Sequence, residues 1–208
     1  MLIKELIIEP HYLPVSGIFS FIFSSEEIIA DDVSVFKKQT YRNRANILSA
    51  NGLLSLIVPV RQGKTHLAIK DVKIDYSTSW QRIHWQSLVS AYNNSPFFEF
   101  YMDHFNTFYH KKYHFLIDLN IEILREMMNC FGLKNNHKFL SETRHGNDFH
   151  DLRNCFHPKT KYNNYPENYS EQTYIQVFSE KNGFTESLSA IDLLFNCGNM
   201  SKEYLQMP

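Results

Sequence analysis

Glycine is scarce in this chain, with 7 in 208 residues. No GxGxxG, GxxxxGKS or GxxxxGKT stretch occurs, so the backbone cradles that hold dinucleotides and nucleotide phosphates have no sequence basis. Cysteine is scarce as well. Cys130, Cys155 and Cys197 lie far apart and form no CxxC pair. An odd count without a secretory signal fits a reducing compartment, and a cytoplasmic location is expected. Charge of one sign is not in excess, because the formal net charge is -1. That balance argues against non-specific nucleic-acid binding, which rests on a basic surface. The apolar run in "MLIKELIIEPHYLP" is too short for a signal core or a membrane span, so no membrane insertion is expected. Repeats, heptad runs and low-complexity segments are missing. So are HExxH and GxSxG, which removes zinc-protease and serine-hydrolase readings.

Aromatic residues are abundant, with 17 Phe and 12 Tyr. Hydrophobic residues at 43% against 21% charged suffice for one core, so a single domain over residues 1–208 is expected. "LIKELIIE" reads as a buried strand, broken by "PHYLPVSG", and "IFSFIFSS" as a short helix. "EIIADDVSV" reads as a second strand. "ANILSANGLLSLIVPV" has two apolar runs around Asn51-Gly52, the dipeptide favoured in a tight hairpin turn with positive φ at both central positions. "LAIKDVKID" alternates and reads as a further strand.

The middle is helical. Trp80, Ile83, Leu88 and Tyr92 fall near helical spacing. Ser95 and Pro96 suit the cap and first turn of a next helix, "FFEFYMDHFNTFYH". The strongest helix is "HFLIDLNIEILREMMNCFGL", with Gly132 as its terminator. Beyond it, "HKFLSET" and "YIQVF" read as strands, residues 157–172 as a polar loop, and "SLSAIDLLFN" as a helix. The fold class is α/β, with a mixed sheet containing the hairpin at residues 45–60.

Several constellations carry candidate chemistry. Lys37, Lys38, Arg42 and Arg44 crowd into eight positions. On an extended backbone Arg42 and Arg44 share one face. They form either a guanidinium fork for a phosphate or carboxylate, in a solvated pocket, or a charged edge strand. Gln39, Tyr41 and Asn43 alternate with them, and Tyr41 suits stacking on a ring. His11 and Tyr12 follow the first strand, where ligands sit in open α/β sheets. Trp80, His84 and Ser87 share a helical face, with His84 either a general base or a packed histidine bonded to a carbonyl. Asp31-Asp32 is either a cation site or a turn. Arg153, His157 and Lys159 make a second basic cluster or a surface loop. His104, His110 and His114 invite a metal reading, but no zinc site is expected there, and no metal or cofactor is assigned.

Four stretches together resemble the WbqC-like protein family: "EPHYLPVSGIFSFI", "KKQTYRNRANILSANGLLSLIVPV", "WQRIHWQSLVSAYNNSPFFEFY" and "DLNIEILREMMNCFGL". The resemblance is closest over residues 7–133. It departs at Glu9, where many members carry glutamine. The family is associated with bacterial surface-polysaccharide gene clusters, including O-antigen and capsule. The resemblance therefore implies a small-molecule substrate such as a nucleotide sugar and a transferase acting on a nucleotide-activated or amino sugar. His11 and His84 are then the candidate catalytic residues. Tyr12, Gln39, Tyr41, Arg42, Asn43, Arg44, Trp80, Ser87 and Tyr92 are the candidate substrate contacts. The alternatives are a non-catalytic binding or scaffold protein of the same machinery, and a nucleotidylyltransferase-like enzyme.

Overall fold

The computed structural model describes residues 2–61, 66–133, 137–139, 149–159, 164–166 and 169–205. The strands are β1 (Ile3–Ile8), β2 (Ser25–Ala30), β3 (Arg44–Ser49), β4 (Gly52–Ile57), β5 (His137–Phe139) and β6 (Phe149–Asp151). The helices are α1 (Ser16–Phe23), α2 (Trp80–Tyr92), α3 (Phe98–His110), α4 (Leu116–Cys130), α5 (Ser179–Asn182), α6 (Ala190–Cys197) and α7 (Ser201–Tyr204). Among the described residues, no helix is long and apolar enough to cross a membrane.

The α/β class holds, with the two kinds of pairing in separate sheets. A parallel sheet runs β5-β2-β1-β6, and β3 and β4 pair antiparallel on their own. β1 and β2 each open with partly exposed residues and end in three buried apolar ones. The chain therefore delivers Glu9 and Asp31, the residues next after each strand, into the interior rather than to solvent. Strand order runs outward from β1 through β2 to β5, then returns to the other side of β1 with β6. The directions diverge at β1, and the crevice beyond the carboxyl ends of β1 and β6 is where such sheets dock ligands.

The hairpin forms, but its turn is one residue earlier than Asn-Gly predicts. Ser49 pairs with Gly52 across a turn at Ala50 and Asn51. Gly52 alone of these takes a positive φ, +97°, and Ser49 Oγ donates to the Gly52 carbonyl at 2.8 Å. One glycine at the end of the turn meets the need that the favoured two-residue turn would place on both central positions.

Three other expectations fail. "LAIKDVKID" is not a strand but a 3-10 turn over Ile69–Asp71 flanked by single bridges. Ile69 and Val72, three apart, are buried and suit that period. "YIQVF" forms no strand. The Gln176 amide instead bonds both the N–H and the carbonyl of Thr185, tying a loop where a ladder was expected. The helix after "NNSP" begins at Phe98, because Ser95 donates its hydroxyl back to the Tyr92 carbonyl at 2.6 Å. Residues 157–172 hold no helix or strand among those described, as a polar loop should.

α4 is amphipathic and closes as expected. Gly132 has φ +61°, its N–H reaches the Asn129 carbonyl, and the Leu133 N–H reaches Met128. That is the paired 5→2 and 6→1 closure of a Schellman motif. α1 is buried along nearly its whole length. At Gly17 a Cβ would lie 2.4 Å from the Tyr169 hydroxyl and 2.5 Å from the Phe156 ring, so only glycine lets the tail approach α1.

The tail also ties into the core through Asp192, 1% exposed on α6. Tyr92 and Tyr174 donate to its two oxygens, each at 2.8 Å, and Asn196 adds a third bond. Burial pushes the carboxyl up to about 6 although these bonds pull it down. The folded chain thus holds this proton more tightly than the unfolded chain. The resulting stability is full below the ordinary carboxylate range and is lost as pH rises through about 6. Relative to Asp192→Asn, the unaltered chain should lose about 2 kcal/mol between pH 4 and 7. Denaturant unfolding across that range checks this; a constant difference would contradict it.

Candidate functional site

The site is built where β1 ends. Glu9, His11 and Arg42 are 3%, 1% and 2% exposed. Arg42 and Glu9 form a buried ion pair. Glu9 Oε1 also accepts the Asn154 N–H at 3.1 Å, which ties the segment after β6 to the end of β1. His11 Nε2 lies 3.5 Å from the same oxygen, close enough for attraction but outside hydrogen-bond geometry, and neither ring nitrogen makes a hydrogen bond.

Two loops must be held together to bury these groups. The Tyr12 N–H donates to the Tyr41 carbonyl at 2.9 Å. Asn120, wholly buried on α4, donates from Nδ2 to the carbonyls of Pro10 and Arg42, at 2.9 and 2.7 Å. Leu13 takes a φ of +44° in the first loop. A leucine held there costs on the order of 1–3 kcal/mol, and the surrounding contacts must sustain it.

The charges set the protonation states. Burial pushes the Glu9 carboxyl up, but His11 and Arg42 outweigh it and hold the group below the usual carboxylate range. Burial, with Arg42, pushes the His11 imidazolium down against the pull of Glu9. The arrangement is a neutral imidazole beside a carboxylate that is already paired. It can accept a proton, and Glu9 would stabilise the cation formed.

A second polar chain runs behind this one. The Tyr12 hydroxyl lies 2.9 Å from His84 Nδ1 and 3.0 Å from the Tyr109 hydroxyl. Burial brings His84 down to about 4, opposed by a hydrogen bond to the Ile57 backbone. Neutral His84 is thus bonded on both sides of its ring, the packed-histidine alternative of the sequence reading. Trp80 packs edge-on to Tyr12 and His84, and its buried Nε1 has no partner.

The sequence-derived candidates divide accordingly. His11, Tyr12, Tyr41 and Arg42 come together, and the Tyr41 ring lies 5.2 Å from the His11 ring. Arg42 does not face a solvated pocket, because its guanidinium is spent on Glu9. Asn43 donates to the Val58 carbonyl at 3.0 Å and keeps Oδ1 buried and unpartnered. Arg44, half-buried at the start of β3, has an unpartnered Nε. Gln39 is exposed with φ +62° and shares no strand face with Tyr41 and Asn43, since the strand starts only at Arg44. Ser87 bonds the Ile83 carbonyl and lines a surface groove with Leu53 and Ser90. Tyr92 points to Asp192.

Asp31 takes the turn alternative. Its Oδ1 accepts the Val33 and Ser34 N–H groups, and Oδ2 lies 3.7 Å from Arg153. Arg153 is held by both oxygens of Asp151, so it is no free anion donor. Glu9, Asn120, Asn154 and Tyr109 were missed in sequence. Two had a signal: Glu9, where the chain departs from the family it resembles, and Asn120, an amide four residues after Leu116 on the apolar face of α4.

The model of the WbqC-like protein family matches residues 9–166, a span containing Glu9, His11, Arg42, Asn120 and Asn154. The uncharacterized protein Rv1507c of Mycobacterium tuberculosis is 28% identical over 230 residues, covering 98% of this chain and 97% of that protein. No solved structure matches the chain.

Removing one partner of a buried ion pair leaves the other charge unpaired. Arg42→Met should therefore cost about 3–5 kcal/mol in urea unfolding, and the double change with Glu9→Met should recover most of that. A single variant as stable as the unaltered chain would show that Glu9 does not depend on Arg42.

Proposed function

The chain belongs to the WbqC-like protein family, and on that premise we propose that it is a transferase for a nucleotide-activated or amino sugar in bacterial surface-polysaccharide synthesis. The observation that carries this reading is His11, buried at the carboxyl end of β1 with Nε2 3.5 Å from the Glu9 carboxylate and neither ring nitrogen in a hydrogen bond. An unsatisfied buried polar group costs about 1–3 kcal/mol, and such groups point to a functional role. His11 takes the proton from an attacking sugar hydroxyl or amine. Glu9 stabilises the imidazolium, and Arg42 keeps Glu9 in place. Arg44 supplies the guanidinium contact to the diphosphate, a role the sequence reading gave to both arginines. With His11 closed off, a substrate reaches it only when a covering segment parts.

One observation favours a second reading. The parallel β1–loop–α1–β2 unit, in a sheet that switches direction at β1, suits nucleotidylyl transfer, although the loop carries His11 alone.

Thermal shift against nucleotide sugars, nucleotides and acyl donors, each with and without Mg²⁺, tests both. A nucleotide sugar at ~100 times its dissociation constant should add about 2.7 kcal/mol of stability. Arg44→Lys should weaken that binding roughly ten- to a hundredfold. His11→Asn should keep binding and lose turnover. A shift from nucleoside triphosphate with Mg²⁺ alone would favour nucleotidylyl transfer. No shift from any compound would sink both enzymatic readings and leave the scaffold reading.

A further inference from the structure

A cluster of donors lies between α3 and α4 that joins His104, where no zinc site with His110 and His114 was expected, to Glu126 and Cys130, which the sequence reading did not weigh. His104 on α3 meets Glu126 on α4, with Nδ1 and Oε1 2.6 Å apart. Cys130, a free and half-buried thiol, lies one turn beyond Glu126 on the same helix. One donor atom from each of the three falls within 4.8 Å of the others. His110, which the sequence reading grouped with His104 and His114, bonds Asn106.

The His104–Glu126 contact could stand as a surface pair worth about 0–1 kcal/mol. That accounts for two of the residues, and Cys130 packs against the core as a small hydrophobe, but neither role accounts for the convergence of the three donor atoms. The three side chains supply one nitrogen, one oxygen and one sulfur from two packed helices. Thiolate with imidazole is a borderline-soft set that suits zinc and is foreign to calcium and magnesium, which take oxygen. Around tetrahedral zinc the donor atoms sit roughly 3.3–3.6 Å apart. The His104 side chain is 46% exposed and that of Glu126 26%, so both are free to swing by the small distance needed. The same exposure leaves solvent at the fourth position.

We propose that His104, Glu126 and Cys130 form a three-ligand site for a zinc-class divalent cation, with water as the fourth ligand. The cation would cross-link α3 to the end of α4. The assignment stands apart from the sugar-transferase reading, and its test uses no substrate.

The full, untagged chain is stripped with chelator and titrated with Co²⁺. Tetrahedral cobalt should give visible d–d bands, and thiolate ligation a near-ultraviolet charge-transfer band, both abolished by one equivalent of Zn²⁺. Cys130→Ser should remove the charge-transfer band. His104→Ala, at an exposed position where folding is not at risk, should weaken Zn²⁺ binding at least tenfold in competition with a chromophoric chelator. No cobalt bands, a charge-transfer band that survives Cys130→Ser, or unchanged affinity in His104→Ala would each overturn the proposal.

Discussion

The buried pairing of Glu9 with Arg42 is the contact on which the arrangement around β1 depends. It joins the end of the central strand to the segment that leads into the hairpin, two pieces separated by most of the first β–α–β unit. A lone carboxylate could not remain ionised at that depth, and a lone guanidinium would be equally costly. Each makes the other tolerable. Asn120 adds the neutral half of the clamp by bonding the backbone of both loops. The segment after β6 closes the third side through the Asn154 N–H.

The molecule handles two of its deeply buried carboxyl groups in opposite ways. Glu9 has a cation and an imidazole beside it and stays ionised. Asp192 has two phenols and an amide, which donate hydrogen bonds but carry no charge, and burial prevails. The difference fits their places. Asp192 knots α2 and the tail together, which a protonated acid does as well as a carboxylate. Glu9 faces a histidine whose positive charge it would have to stabilise, which only a carboxylate does well.

Much of the α/β skeleton was legible because it rests on local rules. The β-branched run of β1, the spacing of α2 and α4, the Gly132 closure and the existence of the hairpin follow from period, propensity and turn chemistry. The errors share a cause. In "LAIKDVKID", "YIQVF" and "NNSP" the pattern matched one element, but a partner distant in sequence or an alternative hydrogen bond decided otherwise. Gln176 shows it best, since its side chain takes over bonds that a neighbouring strand would have made.

The candidate site divides the same way. The sequence by itself determined that His11 and Tyr12 would follow the first strand and that Arg42 and Arg44 would lie close to the hairpin, because these are statements about neighbours along the chain. Only the tertiary structure decided that Arg42 faces Glu9 rather than solvent, that His84 is bonded to Tyr12, that Tyr92 serves the tail, and that His104 meets Glu126. Each of those outcomes depends on desolvation and on which polar group, tens of residues away, arrives within about 3 Å. Such distances are set by how the sheets and helices pack, and no local pattern encodes them.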